Sequence, residues 1–112
     1  METKDQGKTT SGMQANVAGL LCYLVGFITG IIFYLIEKEN KFVRFHAMQS
    51  IVVFGPLFVL SIVIGYMPFI GPILGMLLGV VELVLWIFLM IKAYQGEYFK
   101  LPIAGDIAEK NS

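Results

Sequence analysis

One carboxyl group stands out as the group that could do chemistry in this chain. From Ala47 to Ile91 the only charged residue is Glu82, near the middle of an apolar run. Acids inside a membrane are rare and by default mark proton or ion pathways. Burial without a compensating cation instead favours the neutral form, which can link helices by hydrogen bonding. Because the run holds no second acid or base to accept a proton, the sequence favours packing over a proton relay.

Other residues are predicted to lie close to Glu82 in the folded chain. Pro56 falls in the middle of the preceding apolar segment, where it bends a helix and frees the carbonyl of Val52. Hairpin geometry brings Pro56 level with Glu82, and an antiparallel first helix brings Thr29 to about the same depth. We therefore predict an intramembrane polar contact that involves Glu82, Thr29 and Pro56.

Small residues form two stripes on the predicted helices. Residues spaced by four share one side of a helix, and small residues there let helices approach closely in lipid. The first stripe leads towards Glu82 and comprises Gly71, Gly75 and Gly79. The second, shorter stripe comprises Gly26 and Gly30. Both stripes are predicted to pack against neighbouring helices.

The sequence gives little indication of metal binding or catalysis. Cys22 and His46 are the only cysteine and histidine, whereas a zinc site takes three or four His, Cys or carboxylate ligands. The residues offer no serine, histidine and acid trio, and no glycine-rich loop precedes a phosphate-binding helix. We predict that the protein is not an enzyme and takes no metal or cofactor. The formal net charge is zero, which argues against nucleic acid as a partner.

The composition indicates a membrane protein. Of the 112 residues, 57% are apolar and 14% are charged, which is too little polar surface for an ordinary soluble domain. We predict an all-α integral membrane protein with three transmembrane helices and a short interfacial helix before the second. Each span needs roughly 20 apolar residues. The predicted spans are Ala15–Ile36, about Ala47–Gly65, and Ile73–Lys92. Residues 1–14 are predicted to be a disordered tail, 15–100 the three-span domain, and 101–112 a cytoplasmic tail.

Local signals place the ends of these helices and the orientation. Asn40 can cap the interfacial helix, Gly65 to Pro72 has the glycines and prolines of a tight turn, and Gly96 can end the third span. Lysine and arginine counting predicts a plasma-membrane protein with its N-terminus outside and its C-terminus in the cytoplasm. The counted residues are Lys4 and Lys8 on one side and Lys38, Lys41, Arg44, Lys92, Lys100 and Lys110 on the other.

Two polar segments carry a family resemblance. KFVRFHAMQS at 41–50 and IKAYQGEYFKLPIAG at 91–105 resemble the signature ends of a family of small prokaryotic membrane proteins of unknown function. That family is related to the Tic-twenty type subunit of the chloroplast inner-envelope import apparatus. The matching residues are Arg44, His46, Ala47 and Gln49, followed by Ala93, Tyr94, Gly96, Glu97, Tyr98 and Pro102. The resemblance implies a role in a protein-conducting complex.

The same motif residues also suggest a physical role. Both motifs lie on the cytoplasmic side in the predicted orientation, so Arg44 and His46 can meet Glu97 or Tyr98 and tie the tail to the loop. The cluster can alternatively bind anionic lipid head groups or an acidic segment of a partner.

These observations predict a non-enzymatic subunit or scaffold of a membrane assembly, linked to protein translocation. Its partners are the lipid bilayer and either a second copy or another membrane protein. The alternatives are a small oligomeric transporter or pore that uses Glu82, and a holin-like pore.

Overall fold

The computed structural model describes residue 9 and residues 12–112, and those residues form five helices without a strand. The helices are α1 (Ala15–Leu24), α2 (Phe27–Ile36), α3 (Lys41–Gly65), α4 (Gly71–Tyr94) and α5 (Ala104–Lys110). The fold is therefore all-α, as predicted. The predicted tail of residues 1–14 lies for the most part outside the described residues.

Helices α3 and α4 form a long antiparallel hairpin. In the described part of the chain they are the 2 helices long and apolar enough to cross a membrane. The chain reverses direction between them over residues 66–70, within the predicted turn. The prediction of three spans is wrong, because the first predicted span is not a single helix.

The predicted first span, Ala15–Ile36, is instead two short helices joined by a sharp break. Helices α1 and α2 have 10 residues each, and Gly26 between them adopts φ 57° and ψ −133°. A side chain strongly disfavours this conformation, so glycine is what allows the chain to reverse here. Average hydropathy does not distinguish one apolar helix from two, which is why the break escapes sequence analysis.

Both ends of this short hairpin, α1–α2, lie at the same end of the molecule. Near the start of α1, the Asn16 amide donates to the carbonyl of Tyr94 at the end of α4, at 2.9 Å. Near the end of α2, the carbonyl of Tyr34 accepts from Arg44 at the start of α3, at 2.9 Å. We call this end of the molecule the base. The prediction had placed the two ends of Ala15–Ile36 on opposite sides.

Helix α3 begins where the sequence predicts, but it incorporates the predicted interfacial helix. The Asn40 side chain caps it by accepting from the Val43 N–H at 3.0 Å. From Lys41 the helix continues without interruption through Pro56 to Gly65. A separate short helix before the second span is therefore absent from the described residues.

Helix α3 is buried at the base and largely exposed beyond it. All buried residues of α3 lie between Phe42 and Phe54, whereas the remainder of its length is largely exposed and apolar. We call residues 55–85 the outer hairpin. At its tip Tyr66 is 86% exposed and Phe69 is 92% exposed. The protein measures 50 × 28 × 22 Å, with its helical core at one end.

After α4 the chain turns back onto the base. Gly96 ends the helix with φ 77°, as predicted, and its N–H donates to the carbonyl of Ala93. We call residues 95–103 the strap, because they run from α4 to α5 across the buried part of α3. Helix α5 packs against α3.

Candidate functional site

A buried chain of hydrogen bonds joins α1, α3 and the strap. The side chains of Tyr23, His46 and Gln49 have exposures of 0% each. The Tyr23 hydroxyl lies 2.7 Å from His46 Nδ1, and it accepts from Gln49 Nε2 at 3.0 Å. Buried polar groups are costly unless paired, and these three satisfy one another. We call this set the polar network.

The contacts of His46 define which of its nitrogens carries a proton. Its Nε2 lies 2.8 Å from the main-chain carbonyl of Glu97, which can only accept, so Nε2 is protonated. Because the Tyr23 hydroxyl already accepts from Gln49, we assign its own proton to the bond with Nδ1. The imidazole is thus a neutral link between α1 and the strap.

Gln49 holds the strap through main-chain groups. Its Nε2 donates to the carbonyl of Phe99 at 2.9 Å, and its Oε1 accepts from the N–H of Leu101 at 3.1 Å. These partners fix the orientation of the amide, because a carbonyl cannot donate and an N–H cannot accept. One side chain therefore replaces a piece of secondary structure that the strap lacks.

Aromatic rings surround the buried imidazole of His46. Tyr98 stacks on the imidazole with ring centroids 6.5 Å apart, and it makes edge contacts with Phe42 at 5.1 Å. Partial desolvation raises the pKa of the Tyr98 hydroxyl above its usual value. Of the predicted interfacial contacts, the structure thus brings His46 together with both Glu97 and Tyr98.

Arg44 contacts Tyr34 on α2, whereas the sequence predicts a contact with Glu97 or Tyr98. Its guanidinium donates to the carbonyl of Tyr34 and lies 4.0 Å from the centroid of that ring, a cation–π arrangement. The carboxylate of Glu97 instead lies 3.6 Å from Lys92 Nζ, in a partly exposed pair. Arg44 therefore fastens α2 to α3.

The remaining residues of the closing motif have structural positions. Tyr94 contributes its carbonyl to Asn16, and Gly96 supplies the positive φ that ends α4. Pro102 is exposed and lies two residues before the start of α5, where its carbonyl accepts from the N–H of Ala104 at 2.7 Å.

Side chains also satisfy the backbone at the break between α1 and α2. Ser50 Oγ donates to the carbonyl of Gly26 at 2.7 Å, and Trp86 Nε1 donates to the carbonyl of Tyr23 at 2.6 Å. Thr29 Oγ1 accepts from the Val25 N–H and donates to the carbonyl of Cys22. A broken helix can exist within apolar surroundings only where its freed polar groups find such partners.

Thr29 and Glu82 do not meet. Thr29 serves the break, as above, while Glu82 Oε2 accepts from Ser61 Oγ at 3.0 Å. The predicted contact among Glu82, Thr29 and Pro56 is replaced by one hydrogen bond between α3 and α4. Glu82 is half-buried, beside a groove of about 300 Å³. The groove is lined by Gly26, Phe54, Gly79, Glu82, Leu83 and Trp86.

The predicted glycine stripes separate into close contacts and open positions. A Cβ at Gly30 would lie 2.9 Å from the carbonyl oxygen of Ala47, so this glycine lets α2 approach α3 closely. A Cβ at Gly71 would lie 2.8 Å from the Ile64 carbonyl oxygen. Gly26 forms the break. In the part of the chain that the structure describes, a Cβ at Gly75 or Gly79 would meet nothing within 4 Å.

Sequence reasoning missed the α1 side of the site. Asn16, Gly19 and Tyr23 lie on one face of α1, at spacings of three and four. A Cβ at Gly19 would lie 2.9 Å from the Phe42 ring. Polar and small residues on one face of an otherwise apolar helix were the available signal. Ser50 and Ser61, hydroxyls within apolar runs, were a similar one.

Comparison with known proteins places this architecture in a family. The model of the magnetosome magnetite crystal formation protein family matches residues 8–108. The chain belongs to that family. Its matched range contains the polar network, the break and Glu82.

Archaeal relatives of this family member cover nearly the whole chain. A UPF0132 membrane protein of Methanocaldococcus jannaschii is 56% identical over 106 residues, covering 95% of this chain and 96% of the relative. A UPF0132 membrane protein of Archaeoglobus fulgidus is 51% identical over 98 residues, covering 88% and 95%. No solved structure matches significantly.

These matches correct the predicted family. The resemblance to the Tic-twenty-like proteins was wrong, because the matching model and the relatives name other families. The resemblance rested on two short motifs. In this magnetosome-family chain both motifs lie at the base, where His46 and Gln49 of the first hold the strap of the second. Within residue 9 and residues 12–112, no three His, Cys, Asp or Glu side chains are grouped to hold a metal ion.

Proposed function

We propose that the protein is a non-enzymatic structural subunit of a membrane assembly. The proposal rests on the hydrogen bonds that the side chains of the first motif make. His46, Gln49 and Arg44 bind main-chain carbonyls of the strap and of α2. Their polar groups are therefore engaged in holding the base together. Relatives of the chain are named membrane proteins, which fits a role carried out within the bilayer.

In this proposal α3 and α4 cross the bilayer, and the short hairpin enters it from one side. The exposed face of the short hairpin is apolar, as expected for contact with lipid. Its exposed apolar residues are Leu24, Val25, Ile28, Ile31, Ile32, Leu35 and Ile36. The satisfied backbone at Gly26 supports the same placement, because lipid offers no hydrogen bonds to a broken helix.

The base then faces the cytoplasm, with both ends of the chain's described part on that side. Lysine and arginine are absent from Phe45 to Ile91, which includes the whole outer hairpin and its tip. Lys38, Lys41 and Arg44 lie at the base beside the start of α3. Because cytoplasmic segments carry the excess of positive residues, the base is the cytoplasmic end.

Photo-crosslinking in cells tests the assembly role. A photoreactive amino acid at Lys41 or at Asp106 occupies an exposed position on the base. We expect both positions to capture the same distinct protein, because in this placement the base presents folded surface on the cytoplasmic side of the bilayer.

Positions on the outer hairpin provide matched controls. Met76 and Val80 are 72% and 56% exposed on α4, and we expect photoreactive groups there to capture lipid. If the base positions captured only lipid or only a second copy of the chain, the proposed role in a larger assembly would be rejected.

A further inference from the structure

We propose that the protein is a membrane wedge, wider in the bilayer half next to the base than in the other half, and that it thereby favours curved membrane. The inference rests on the proposed placement of the short hairpin in the bilayer.

The length of the short hairpin sets how deep it lies in the bilayer. With a rise of 1.5 Å per residue, its 10-residue helices are each about 15 Å long. The hydrocarbon core of a bilayer is about 30 Å thick, so the short hairpin reaches about halfway. By the same rise, the 24 residues of α4 extend about 36 Å and cross the whole core.

Contacts within the chain agree with this depth. At the break, Gly26 lies against Phe54 and Tyr23 is bonded to Trp86, both of which are near the middle of their helices. Beyond that level, a Cβ on Gly75 or Gly79 would meet nothing within 4 Å in the described residues. The face of α4 that α1 covers at the base is therefore uncovered in the outer hairpin.

The cross-section of the protein differs between the two halves of the bilayer. Next to the base α1, α2, α3 and α4 pack together, while within the described residues the outer hairpin consists of α3 and α4 alone. A helix is about 10 Å across, so two additional helices enlarge the protein's cross-section by roughly 160 Å² in one bilayer half. A protein that takes more area from one leaflet is accommodated best where that leaflet is convex.

Hydrogen bonds between the helices hold the wide end together. The polar network joins α1 to α3 and the strap, Ser50 joins α3 to the break, and Arg44 joins α2 to α3. A loose short hairpin could move aside and relieve the difference in area. These bonds oppose that movement, so the shape is transmitted to the lipid.

Sorting among vesicles of different diameter tests the wedge. The full chain, carrying Cys22→Ala and Lys38→Cys, is reconstituted into phosphatidylcholine vesicles of mixed size. Lys38 is exposed at the base, so an impermeant maleimide dye marks molecules whose base faces outward. A second dye, added after permeabilisation, marks those whose base faces inward. Single-vesicle fluorescence then gives the density of each population against diameter.

We expect opposite trends for the two orientations. The outer leaflet is convex, so outward-facing molecules should be severalfold denser in the smallest vesicles than in the largest, and inward-facing molecules should be depleted there. The inward-facing population is a control with identical composition and folding. Equal densities at all diameters, or the same trend for both populations, would overturn the wedge.

Flotation separates this failure from failure of the membrane placement. If the protein floats with vesicles after alkaline washing but shows no opposite trends, the wedge is wrong while the membrane subunit stands. If alkali removes the protein from vesicles, both proposals are rejected.

Discussion

At the scale of single residues, the protein places its polar side chains on main-chain groups. His46 and Gln49 bind carbonyls and an N–H of the strap, and Trp86 binds a carbonyl at the break. The strap groups lie outside the helices, whereas the Tyr23 carbonyl also accepts from the Gly26 N–H at 3.1 Å. Residues that look chemically suggestive in the sequence thus make structural contacts in the fold, because a buried main-chain group without a hydrogen bond lowers the stability of the folded state.

Replacing Tyr23 by Phe should destabilise the protein. The hydroxyl bonds to His46 and accepts from Gln49, and its loss leaves a buried imidazole nitrogen and an amide N–H each short of one partner. We expect the free energy of unfolding to fall by about 1–3 kcal/mol, measured by denaturant titration in micelles with circular dichroism. Tyr66→Phe is the control, because Tyr66 is 86% exposed at the tip. Equal effects of the two substitutions would disprove the role of the network.

At the scale of helices, local signals were sufficient at some positions and misleading at others. Asn40, the turn before α4 and Gly96 were predicted correctly, because a cap or a turn depends on a few adjacent residues. The break at Gly26 was missed, because it depends on distant partners, Ser50 and Trp86, that the apolar pattern does not reveal. The same distance in sequence hid the bonds from His46 and Gln49 to the strap.

Two glycine substitutions should change stability in opposite directions. Gly26 has φ 57°, and we expect Gly26→Ala to cost about 1–3 kcal/mol through backbone strain. Space is not the cause, since the nearest atom to the added Cβ, on Phe54, is 3.7 Å away. Gly75 is helical with nothing near it in the described residues, so Gly75→Ala should stabilise α4 by up to about 1 kcal/mol.

Thermal unfolding in one detergent measures both variants against the parent. We expect a lower Tm than the parent's for Gly26→Ala and a higher one for Gly75→Ala. A Gly26→Ala variant as stable as the parent would mean that the short hairpin does not require the positive φ at its break.

At the scale of the whole molecule, the base collects both ends of the chain's described part. Asn16 contacts Tyr94, and Tyr34 donates to the carbonyl of Asn111 at 2.8 Å. Two long helices and one returning hairpin therefore give a different topology from three spans. Composition and apolar run length predicted that the protein is embedded in a membrane, yet they could not count its crossings, because a hairpin that returns is as apolar as a helix that continues.

Cysteine labelling should find both ends of the chain's described part on one side of the membrane. In a Cys22→Ala background, we expect Met13→Cys and Asn111→Cys to react with an impermeant maleimide only from the cytoplasmic side. Phe69→Cys, at the tip, should react only from the opposite side and serves as the control. Reaction of Met13→Cys and Asn111→Cys from different sides would restore an odd number of crossings and exclude the returning hairpin.

The bond between Trp86 and the break has a practical consequence for spectroscopy. Trp86 is the only tryptophan in the chain, and its indole N–H donates to the Tyr23 carbonyl at 2.6 Å. The intrinsic fluorescence of the unlabelled protein therefore comes from the point where α1 ends. Separation of the short hairpin from α4 would free the indole N–H and shift the emission, so the opening of this hairpin can be followed without a dye.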